Sequence, residues 1–79
     1  MDIEMSRTVL RAVFRGAAEL QALLPVLKAE CDADEYKVYA VAIASVIAES
    51  GQQIINRVIA EHPELEAEVD FAIRKDGRY

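Results

Sequence analysis

The segment from Ala33 to Glu61 reads as one long helix that is apolar around more than half of its circumference, and no other feature restricts the fold so strongly. At 100° per residue, Tyr36, Ile43, Ile47, Ile54 and Val58 fall in one row, within about 60° of one another. A second row, rotated by about 100°, holds Val41, Ala44, Ala48, Ile55 and Ile59. The clearest polar strip is Ser45, Glu49, Gln52, Gln53 and Asn56. A surface helix needs a single apolar stripe of roughly 100°. This one must bury against two or more neighbours.

Its start is marked by Asp32, which can cap, with Glu35 three residues later and further carboxylates at the positive helix end. Ser50-Gly51 is the weak point, because a mid-helix Gly costs about 1 kcal/mol and Ser50 with Gln53 could cap a fresh helix. The rows keep their phase on both sides of Gly51, so the helix is expected to continue through it.

The preceding segment is amphipathic at seven-residue spacing. Ile3, Leu10, Ala17 and Leu24 occupy one position, and Ser6, Val13, Leu20 and Leu27 the other. Pro25 should kink this helix or end it near Leu24, with a further turn beyond. His62-Pro63 ends the central helix, and Leu65, Val69, Ala72 and Ile73 stripe a short third one. Gly77 closes it, and the tail Gly77-Arg78-Tyr79 is expected to fray.

The expected fold is therefore a single all-α domain over residues 1–79, with helices near 3–29, kinked at Pro25, then 33–61 and 64–75. These would form a long antiparallel helical hairpin with a short C-terminal helix. Three turns can cover at most half of the central helix. Each Ile or Val left in water forgoes about 1.5–3 kcal/mol, a large part of the 5–15 kcal/mol typical of a whole domain. A second copy would shelter the remainder with no new sequence, so a homodimeric four-helix bundle is expected. The expected dimer or partner interface is Ile43, Ala44, Ile47, Ala48, Ile54, Ile55, Val58 and Ile59. Ala40, Ala44 and Ala48 would allow close helix approach, although helix propensity alone explains them as well.

Charge and motif content exclude several function classes. A net charge of −5 argues against a broad phosphate-binding surface. Arg7, Arg11 and Arg15 line one edge of the first helix without interleaved aromatics, which suits a solvated face or an ion-paired edge facing Glu64 and Glu68. A helix-turn-helix centred on Gly51 would leave Arg57 as the only basic residue of its recognition helix, so nucleic acid is not an expected partner. Tyr36 and Tyr39 suit a core or rim better than a base-stacking pair.

The acids from Glu30 to Glu35 and from Glu61 to Asp70 coincide with helix starts, and no calcium-loop spacing is present. His62 lacks a nucleophile, Cys31 borders acids that would raise its thiol pKa, and the isolated glycines form no phosphate loop. No enzyme activity, cofactor or metal is expected. A single Cys points to a reducing compartment, the cytoplasm. The uncharged run Val38 to Ala48 is too short to span a bilayer, and no signal peptide is apparent, so membrane attachment is not expected. The leading reading is a non-catalytic protein–protein interaction module acting as a helical homodimer. The alternative is a small acidic regulator or inhibitor that occupies a basic site on a nucleic-acid-handling partner protein.

Overall fold

The computed structural model describes residues 1–79. The chain is all-α, with 89% of its residues in three helices and no strand. Helix α1 spans Ile3–Glu30. It begins where the Asp2 side chain accepts the Met5 backbone N–H at 2.8 Å. It runs through Pro25 rather than stopping near Leu24. The carbonyl that Pro25 leaves without a donor is that of Gln21, and both residues are exposed, so water can satisfy it.

Helix α2 spans Ala33–Glu61. Asp32 caps it as the sequence indicates, accepting the Glu35 N–H at 2.8 Å. The helix is continuous through Gly51, but not as a plain α-helix. Gly51–Ile55 form a π-helical turn in which the Asn56 N–H reaches the Gly51 carbonyl. Ser50 Oγ donates to the Ile47 carbonyl at 2.7 Å just before it, a bond that competes with the helical ladder.

The wider turn inserts one residue into the repeat and corrects the expected row. Ile55, not Ile54, packs toward the core, while Ile54 is turned out and 38% exposed. Helix α3 spans Glu64–Asp76 and ends at Gly77, whose φ of 74° is open to Gly and costly to other residues.

The core lies at one end. Leu10 and Leu65 have no exposed surface and Val58 has 4%, so each helix contributes one residue to it. Ile3, Val9, Phe14, Ile55, Ile59, Val69 and Tyr79 pack around them. Ser6 is also fully buried, and its hydroxyl is satisfied by the Asp2 carbonyl at 2.9 Å. Met1 sits beside Glu61 and His62, which places the start of α1 against the end of α2.

Towards the other end, where the Cys31-Asp32 turn joins α1 to α2, burial fades. Leu20, Leu24, Leu27, Tyr36, Ile43 and Ile47 face inward yet are only half-buried. Two helices alone cannot enclose a side chain.

The consequence is visible in the dimensions. The molecule measures 45 × 25 × 15 Å, with a radius of gyration of 14.7 Å against about 11.6 Å for a compact chain of this length. Its accessible surface is 5813 Å², where a monomeric protein of its mass exposes about 4,800 Å².

Truncation should register the position of the core. Leu10→Ala is expected to lower stability by about 2–5 kcal/mol. Gly51→Ala is expected to raise it by about 1 kcal/mol, since nothing lies within 4 Å of the added methyl. Urea unfolding of both variants at one fixed protein concentration measures the two effects.

Candidate functional site

The contact between α1 and α3 is a polar and aromatic latch. Arg7 Nε donates to both carboxylate oxygens of Glu68 at 3.0 Å, and its Nη1 reaches Glu4 one turn away. The Tyr79 hydroxyl donates to Glu68 Oε2 at 2.9 Å. The Tyr79 ring meets Phe14 edge-on, with centroids 5.9 Å apart, and the Arg11 guanidinium lies 5.3 Å from its centre. The C-terminal tail is therefore anchored rather than frayed. An aromatic residue just beyond a helix-ending Gly was the signal that could have found it, because the turn at Gly77 sends the chain back over its own helix.

The latch perturbs its own ionisation. Hydrogen bonding from Arg7, and then from Tyr79, holds the Glu68 carboxyl below its usual range. Partial burial, reinforced by the bond to Glu68, raises the Tyr79 phenol. Partial burial likewise raises the Cys31 thiol, with Glu35, Asp32 and Glu30 adding to the effect.

The expected charged surface is thus divided among separate contacts. Arg7 and Glu68 pair, and Arg11 is held by Tyr79. Glu64 turns instead to His62 Nδ1 at 3.5 Å, and Arg15 is exposed without an ion-pair partner. Asp32, Glu61, Glu68 and Asp70 have contacts within the chain, whereas Glu30, Asp34, Glu35 and Glu66 are exposed without an ion-pair partner.

Two of the open apolar surfaces lie on opposite flanks of α1. One is a groove of about 800 Å³ beyond the end of α3, lined by Phe14, Ala18, Ile47 and Ile73 together with Arg15 and Arg78. The other lies on the opposite flank. Met5, Ala12, Gly16 and Leu23 share one stripe of α1, about 180° round the helix from Phe14, which meets the tail that closes α3. On α2, Tyr39 and Val46 share a stripe about 160–180° round from Ala48, beside the half-buried Tyr36 and Ile43. Met5 is 52% exposed, Leu23 46%, Tyr39 50% and Val46 56%.

The residues expected at an interface separate along α2. Ala44 and Ala48 are exposed, as is Ile54, whereas Ile43 and Ile47 are half-buried. Ile55 and Ile59 pack on the chain's own core and Val58 belongs to it, so these three are committed within the chain. Met5, Leu23, Tyr39 and Val46 are among the exposed apolar residues outside the expected interface, as are Val26, Val38, Val41 and Phe71.

By length and composition α2 is also apolar enough to cross a membrane, with a mean hydropathy of 1.3 over an 18-residue window. The window is longer than the uncharged run Val38 to Ala48 because the helix is continuous through Gly51. Glu49 and Gln53, hydrogen-bonded at 2.9 Å, sit within that helix. No His, Cys, Asp and Glu side chains gather in a group of three that could hold a metal ion. Comparison with protein-family models, with curated proteins and with solved structures finds no match to the chain.

The latch should give stability two pH limbs. The lowered Glu68 carboxyl favours the folded state above its ordinary value of 4.5, and that contribution fades as pH falls below 4.5. The raised Tyr79 phenol has the opposite sign: its contribution holds below the ordinary value of 10.0 and fades as pH rises above it. Glu68→Gln is expected to shrink both limbs, read as urea midpoints across the pH range.

Proposed function

We propose that the protein is a non-catalytic protein–protein interaction module that acts as a homodimer. In this reading α1 and α2 form an antiparallel hairpin, two hairpins make a four-helix bundle, and each α3 closes one end as a lid. The observation that carries it is the surplus surface. The chain exposes 5813 Å², about 1,000 Å² more than a monomer of its mass, and a standard interface removes about 800 Å² from each partner. The excess is also the right kind, since Leu23, Tyr39 and Val46 are large apolar residues each at least 46% exposed.

Burying that surface would convert the half-buried layer of Leu20, Leu24, Ile43 and Ile47 into a true core. The groove beyond α3 would remain on the outside of such a dimer. Its apolar floor beside Arg15 and Arg78 suits an amphipathic helix that carries acidic residues. The alternative of an acidic inhibitor has less behind it, because Asp32, Glu61 and Glu68 of its two acidic clusters are already engaged within the chain.

Sedimentation equilibrium at micromolar concentration is expected to give a folded species of about twice the 8.8 kDa protomer mass. A folded monomer, or a protein that is ordered only in the presence of lipid vesicles, would overturn the proposal.

A further inference from the structure

We infer that the two copies pair through the flank opposite α3, with α1 lying antiparallel to the α1 of a second copy about a twofold axis at the level of Phe14. This rests on the dimeric reading above and specifies its surface. The stripe Met5, Ala12, Gly16 and Leu23 is symmetric in sequence about that level. In a twofold antiparallel pair, Met5 therefore stands opposite the second copy's Leu23, and Ala12 opposite its Gly16. Large residues meet at both ends and small ones in the middle, so the same stripe is its own complement.

Gly16 is otherwise unexplained. It lies inside α1, away from either helix end, where a Gly costs about 1 kcal/mol relative to Ala. Its φ is not positive, and nothing lies within 4 Å of where a methyl would stand. No turn and no contact within the chain requires it. A second helix crossing at Ala12 and Gly16 would, because small residues let two backbones approach to the 8–10 Å typical of close helix packing.

Tyr39 and Val46 widen the face on α2, and Glu19, about 40° round from Leu23, borders the stripe without interrupting it, as a polar rim does. The face draws on the surplus of about 1,000 Å² that the chain exposes over a monomer of its mass, against the roughly 800 Å² that each partner of a standard interface buries.

Cysteine pairing under mild oxidation tests the register, in a Cys31→Ser background. Met5→Cys combined with Leu23→Cys is expected to give a covalent dimer, and either substitution alone little or none. The two positions lie about 27 Å apart on one helix, far beyond the reach of a disulfide within a chain. Gly16→Leu is expected to weaken the dimer at least tenfold in sedimentation while leaving helix content unchanged by circular dichroism, and Gly16→Ala to weaken it much less.

A dimer in sedimentation that neither cross-links through these positions nor responds to Gly16→Leu would overturn this pairing and leave the dimeric reading standing. A folded monomer would overturn both.

Discussion

Three apolar side chains meet at one point in this protein, and the rest of the fold is arranged around that meeting. Leu65 from α3 closes over Leu10 of α1 and Val58 of α2, and only where α3 is present does any side chain lose all contact with water. The principle is geometric. Two helices in contact share a line, and a third is needed to turn that line into an enclosed volume. Since α3 has 13 residues and α2 has 29, the enclosed volume stops well short of the Cys31-Asp32 turn.

The polar contacts follow the same division. Arg7, Glu68 and Tyr79 form their network where α3 meets α1, next to the core rather than at the open end. Partial exclusion from water strengthens such bonds, so the network and the core reinforce one another. At the open end the charged groups serve local needs, with Asp32 capping α2 and Glu30 and Glu35 left beside Cys31. One end of the molecule is thus held by tertiary contacts. The other is held mainly by helix propensity and by a half-buried seam.

Much of this was legible in the chain. The seven-residue pattern of α1 named its inward row correctly, including the lone polar entry Ser6, which proves to be buried and bonded to the helix start. Asp32 and Gly77 marked helix ends because capping is local chemistry. Pro25 left two outcomes open, a kink or an end near Leu24, and α1 continues to Glu30 because Pro25 and Gln21 lie on an exposed face. The errors fall where the outcome depended on other parts of the molecule. Continuity through Gly51 was foreseen, but a π-turn keeps the helix intact at the cost of register, which turns Ile54 out and Ile55 in. Tyr79 looked like a loose end until α1 supplied Phe14 and Arg11 to hold it.

From the amino-acid order alone come the three helices, their caps and the excess of apolar surface on the central one, because propensity, capping and periodicity act over a few neighbouring residues. Tertiary structure decided which part of that surface is sheltered. The placement of α3 commits Ile55, Val58 and Ile59 to the chain's own core and leaves Met5, Leu23, Tyr39 and Val46 facing outward. A helical wheel is circular and has no preferred side. Only the packing of a neighbouring helix breaks that symmetry, so only the folded molecule distinguishes an inner face from an outer one.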